Sequence, residues 1–130
     1  MIGLILVAHA NLASELLKAA EMIVGPIPHA EALGIGEGDD GNIILAGITA
    51  ALKHLDGEGV IIMTDMFGGT PSNLSLSFLE DNRIEVLSGV NLPMVMEFAL
   101  KRDRFGVAEL AAGLRDCGRE SISVAGDFLK

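Results

Sequence analysis

Residues 2–8, Ile-Gly-Leu-Ile-Leu-Val-Ala, form an uninterrupted apolar run, and Val60-Ile61-Ile62-Met63-Thr64 forms a second. A strand with one face in water alternates polar and apolar residues. A continuous apolar run of this length reads as a strand covered on both faces, the usual condition in a parallel sheet. Each run is followed by a helical pattern. After the first, Asn11 can cap a helix whose apolar positions are Leu12, Leu16, Leu17, Ala20, Ile23 and Val24, with Gly25-Pro26 as its stop.

The pattern repeats along the chain. A short strand is expected near 30–35. A turn at 36–42 leads to a helix carrying Ile44, Leu45, Ile48, Ala51, Leu52 and Leu55, broken by Asp56-Gly57-Glu58-Gly59. After the 60–64 strand, Phe67-Gly68-Gly69-Thr70-Pro71-Ser72-Asn73 reads as a glycine turn feeding a helix with Pro near its first position. Ile84 to Leu87 is the fourth strand, Ser88 to Asn91 a loop, and Leu92-Pro93 opens a further helix. Another helix near 106–117 and a last strand near 121–125 complete the order. Alternation of strands and helices predicts an α/β fold: a mostly parallel sheet with helices on both faces, the last C-terminal strand antiparallel at an edge. One domain, 1–130, is expected.

The 130 residues are half hydrophobic but contain five Phe and neither Tyr nor Trp, so the core must come from Leu, Ile, Val, Met and Ala. A formal net charge of −9 disfavours nucleic acid, whose phosphates it would repel. Acidity favours solubility, or attraction to a basic partner protein. The lone Cys117 excludes an internal disulfide and is expected to pack, and no Cys/His spacing suggests zinc. The N-terminal apolar run is short and lacks a basic flank, so neither a signal peptide nor direct membrane insertion is expected; the cytoplasm is the default location.

In open α/β sheets ligands sit beyond the carboxyl ends of the strands. Three segments fall there: Ala8-His9-Ala10, Asp65 through Thr70, and Ser88 through Asn91. Each has two readings. His9 is either a structural histidine or a nucleophile. Asp65 either caps a turn or holds one imidazole N–H, leaving the other nitrogen with its lone pair. Gly68-Gly69 is either a tight turn or a set of amides free to cradle phosphate, with Thr70 adding a hydroxyl. Their convergence at one edge favours the functional reading. No acidic cluster that would hold Mg²⁺ accompanies them, and no metal or cofactor is expected. A nucleophile, an orienter and an anion cradle suit phosphoryl transfer through a phosphohistidine.

Other motifs are weaker candidates. Gly34-Ile35-Gly36-Glu37-Gly38 superficially resembles a nucleotide loop, but Asp39 and Asp40 follow it and the Walker lysine is missing; a turn and helix cap is expected. His29, beside two prolines, reads as a surface residue, and His54 as a helix-end histidine meeting the dipole. A metal-dependent hydrolase on His9 and Asp65 would have too few ligands.

The segment Thr64-Asp65-Met66-Phe67-Gly68-Gly69-Thr70-Pro71-Ser72-Asn73 resembles the signature of mannose-family enzyme IIA domains of the sugar phosphotransferase system. Ser88-Gly89-Val90-Asn91-Leu92-Pro93-Met94 is similar to a second family segment, and His9 falls where the family's phosphorylated histidine lies. The resemblance runs to about residue 125. It implies that His9 accepts phosphate from the phosphocarrier HPr and passes it to a separate IIB component, with Asp65 as the histidine's partner and Thr70 as a phosphate contact. It also implies a homodimer in which a C-terminal strand, here near 121–125, can exchange between subunits. The chain departs from the pattern at Ala10, where the family usually has Gly. It also ends at Lys130 without the IIB domain that many relatives carry. That ending motivates an alternative: a regulatory binding module whose phosphorylation state controls a target protein.

Overall fold

The computed structural model describes every residue except Asp56 and Phe67 to Gly69, with the backbone alone at Thr70, Pro71 and Ser72. The chain runs β1 (Gly3–His9), α1 (Leu12–Val24), β2 (Ala30–Ile35), α2 (Gly41–His54), β3 (Val60–Thr64), α3 (Thr70–Ser75), β4 (Ile84–Ser88), α4 (Leu92–Lys101) and α5 (Val107–Glu120). The four strands form one sheet in the order β2-β1-β3-β4, every neighbouring pair parallel.

The two apolar runs are the two central strands, and alternation along them separates two cores. Leu4, Leu6, Ala8, Ile61 and Met63 face one side, where Ala13 and Ala20 of α1, Val95 and Phe98 of α4, and Leu110 and Leu114 of α5 cover them. Ile5, Val7, Val60 and Ile62 face the other side, under Ile44, Ile48 and Ala51 of α2. Leu4, Ile5, Leu6 and Val7 are all fully buried, and each side chain of this kind contributes about 2 kcal/mol when taken out of water. With helices on both faces, the apolar runs have no polar face to show.

Local chemistry sets the boundaries. Asp40 caps α2 by accepting the Ile43 N–H at 3.0 Å. The Gly36 to Asp39 turn closes on itself, Gly36 N–H donating to Asp39 Oδ2 at 2.8 Å. The glycine-rich stretch is thus the tail of β2, a turn and a cap. Asn91 caps α4 through Met94 N–H at 3.2 Å and donates from Nδ2 to the Gly118 carbonyl at 3.0 Å, tying α4 to α5. The close approach requires Gly118: a Cβ there would lie 2.6 Å from Met94 Sδ.

One expectation is corrected. Residues 121–124 form no strand, the described sheet is wholly parallel, and a 3₁₀ helix (Ala125–Leu129) ends the chain. The alternation of Ser121 to Ala125 suits a strand, but a strand needs a free neighbour. The outer edge of β4 is partly satisfied from within: Glu80 and Ile84 exchange both main-chain hydrogen bonds, and Glu85 Oε1 accepts the Val86 N–H. The tail therefore lies exposed.

Arg102, at the end of α4, is buried. Its guanidinium donates to the carbonyls of Ile2, Pro28 and His29 and stacks 4.7 Å from the Phe98 ring centre. It clamps α4 to the amino ends of β1 and β2 through main-chain acceptors, and burial lowers its pKa, with Asp103 opposing the shift. Replacing it takes a donor from the Ile2, Pro28 and His29 carbonyls, of which His29 keeps the Leu4 N–H. Arg102→Met is expected to lower unfolding stability by about 3 kcal/mol in urea titrations, and Arg102→Lys to recover only part of it, since a single ammonium cannot span three acceptors.

Candidate functional site

The central strand β1 carries His9 out of the sheet at its carboxyl end, and β3 delivers Asp65 one residue beyond its own end. The register pairs Val7 with Thr64, so His9 and Asp65 emerge side by side. Asp65 Oδ2 accepts two hydrogen bonds from His9: from its main-chain N–H at 3.0 Å and at its ring Nδ1 at 2.7 Å. An ionised carboxylate can only accept, so Nδ1 carries the proton and Nε2 keeps the lone pair. The His9 side chain is 53% exposed and that of Asp65 only 13%; the imidazole faces solvent while its anchor is held below it.

Burial pushes the Asp65 carboxyl upward. The main-chain and ring hydrogen bonds of His9, the attraction of its ring, and the aspartate's own amide outweigh burial, and the net shift is downward. The carboxylate therefore stays charged through the physiological range. Asp65 Oδ1 is buried without a hydrogen-bond partner among the described residues.

The turn after His9 is strained. Ala10 has φ +51°, a left-handed conformation costing about 1 kcal/mol for a residue with a Cβ. Its N–H donates to the Ile35 carbonyl at 2.8 Å, which fixes the turn against β2. The departure from glycine thus falls at a position where glycine would be relaxed. On the other side, the Ser88–Asn91 loop is fastened to the end of β3. Thr64 is fully buried, its hydroxyl donates to Ser88 Oγ at 3.0 Å, and its carbonyl accepts the Gly89 and Val90 amides.

Of the residues singled out in the sequence, His9 and Asp65 are brought together. Gly68 and Gly69 lie outside the described residues, and Thr70 is placed as the first residue of α3 by its backbone alone. Among the described residues no three His, Cys, Asp or Glu side chains converge as metal ligands. His54 meets Glu31 at 3.2 Å, and His29 lends its carbonyl to Leu4 N–H and Arg102. Cys117 is partly buried; its thiol lies 3.8 Å from the Pro93 carbonyl, and burial, with Glu97 nearby, raises its pKa. Sequence reasoning missed Ala10 as a strained hinge. The signal was available, since a family glycine after a strand often marks positive φ.

Comparison with known proteins identifies relatives of the chain and of its fold. The family profile described as the PTS system fructose IIA component (EIIA-man) matches residues 3–114. The fructose-specific EIIA component of Bacillus subtilis is 30% identical, over 100% of this chain and 90% of that protein. The mannose-specific EIIAB component of Escherichia coli K12 is 32% identical over 93% of this chain, which spans only 38% of that longer protein. The crystal structure of the phosphotransferase system component EIIA from Streptococcus agalactiae superposes with a TM-score of 0.89 at 30% identity, covering 98% of this chain and 99% of that one. The chain belongs to the mannose-type EIIA family of phosphotransferase system components.

Proposed function

We propose that the protein is a phosphocarrier: His9 accepts a phosphoryl group from phospho-HPr and donates it to a IIB component. The observation that carries this reading is the 2.7 Å bond between His9 Nδ1 and Asp65 Oδ2, which leaves Nε2 as the nucleophile on a half-exposed ring. In the forward step Nε2 forms a bond to phosphorus as the donor's phosphorus–nitrogen bond breaks. The Nδ1 proton stays on the ring, and Asp65 balances the positive charge that develops there. Gly68 and Gly69 amides and the Thr70 hydroxyl are assigned to the phosphoryl oxygens by their place in the sequence, after Asp65 and up to the first residue of α3. The transfer needs positioning and charge balance, with no metal or cofactor. Among the described residues no helix is long and apolar enough to cross a membrane, which fits a cytoplasmic carrier.

The partner chemistry follows from the surface. Ile122, Val124, Phe128 and Leu129 are all more than half exposed, an apolar set that a second copy would cover. We assign the protein a homodimer that buries this tail.

Incubation with phosphoenolpyruvate, enzyme I and HPr is expected to add one phosphoryl group, lost in acid and absent from His9→Ala; a stable adduct on His9→Ala refutes the assignment. Asp65→Asn is expected to slow acceptance by about 100-fold while leaving the fold intact, because an amide can present its NH₂ to Nδ1 and reverse the tautomer. The depressed Asp65 pKa contributes stability that is present above the ordinary aspartate range and lost as pH falls through the folded value. Acid titration of wild type against Asp65→Asn is therefore expected to show a stability difference at neutral pH that closes below that range. Light scattering is expected to report a dimer, shifted toward monomer in Ile122→Ser/Phe128→Ser; a wild-type monomer at high concentration refutes the dimer.

A further inference from the structure

Gly34 occupies the next-to-last position of β2, paired with Ala8 of β1. Its backbone is ordinary extended chain, so any residue could adopt its torsion angles. It is also exposed, and an exposed strand position filled by glycine is less stable than the same position filled by alanine. The reason for glycine is spatial. A Cβ built at Gly34 would lie 2.5 Å from the Ala10 carbonyl oxygen and 3.6 Å from its carbon, and would meet nothing else within 4 Å among the described residues. An ordinary contact of about 3.5 Å lies roughly 1 Å further out. The obstacle is main chain, which has no rotamer to escape into. That main chain is the turn directly after His9, already held at φ +51° and bound to Ile35.

We propose that Gly34 is a positioning residue for phosphoryl acceptance: by leaving room for the Ala10 carbonyl it sets the turn that keeps the His9 imidazole on Asp65. The claim rests on the phosphocarrier reading of His9. The two His9 contacts to Asp65, at 3.0 Å and 2.7 Å, leave no slack for a shift of about 1 Å, and displacements of that size in a reacting group cost up to about 100-fold. A larger residue at Gly34 acts by pushing Ala10, and hence His9, away from the carboxylate. Gly47 offers a control in α2, where among the described residues a Cβ would meet only Leu33 Cδ1, at an ordinary 3.7 Å.

The test measures phosphoryl acceptance from phospho-HPr, with His9 ¹⁵N spectra, in wild type, Gly34→Ala, Gly34→Ala/Ala10→Gly and Gly47→Ala. Gly34→Ala is expected to slow acceptance about tenfold or more at saturating donor, with an unchanged half-saturation concentration. The His9 ring nitrogens should move from the single Nδ1–H tautomer toward a mixture. The double variant should recover most of the rate, because glycine at position 10 lets the carbonyl turn aside. Gly47→Ala should stay within about twofold of wild type.

A wild-type rate in folded Gly34→Ala overturns the proposal, as does a slow rate with unchanged ring signals or no recovery in the double variant. Should Gly34→Ala not fold, the double variant decides: a folded, active double variant supports the proposal, and an unfolded or inactive one overturns it. If the wild-type protein takes no phosphoryl group on His9, the phosphocarrier reading itself falls. A phosphorylated wild type with an indifferent Gly34→Ala removes the positioning role alone.

Discussion

The parallel pairing of β1 with β2 on one side and β3 on the other governs everything else in the molecule. A strand hydrogen-bonded along both edges and buried on both faces cannot slip: a one-residue shift would exchange Leu4 and Leu6 for Ile5 and Val7 and misfit both helical layers at once. The register is therefore fixed along the whole strand. That rigidity is delivered to its last residue, His9, and the same ladder fixes where Asp65 leaves β3.

The candidate site draws on this rigidity. Asp65 takes both the main-chain amide and the ring Nδ1 of His9, so one carboxylate sets the strand end and the tautomer together. The arrangement carries a local cost at Ala10, in the left-handed region. A stable sheet can bear about 1 kcal/mol there, because strain of this kind persists only where its surroundings dictate it. At the opposite edge of the sheet, Arg102 holds α4 to the starts of β1 and β2, so both ends of the central strand are fastened by polar contacts.

Much of the fold was legible in the chain because burial on both faces leaves a distinctive trace. Val60 to Thr64 was identified as a strand by its apolar run alone, and α1 by apolar spacing and a Gly25-Pro26 stop. The tail misled because Ser121 to Ala125 has the alternation of a strand, while strand formation depends on a neighbour that no local pattern encodes. Arg102 left no trace for a related reason: its acceptors, Ile2, Pro28 and His29, are carbonyls common to every residue, reached only when distant segments fold together.

The candidate site divides the same way. His9 and Asp65 were identifiable because each follows a recognisable strand, and parallel strands place their carboxyl ends along one edge. Ala10 left only the departure from the family glycine, and Gly34 left no signal, since its importance lies in one carbonyl approaching one missing side chain across two strands.

By itself the sequence determined the strand and helix order as far as α5, the covering of the sheet on both faces and the residue types at the strand ends, because hydrophobic periodicity and strand ends are local properties. Only the tertiary structure decided that one oxygen of Asp65 would bind His9 twice, that Gly34 would make room for Ala10, and that the last residues would find no strand to join. Those outcomes depend on distances between segments far apart in the chain, which exist only once the sheet has set its register.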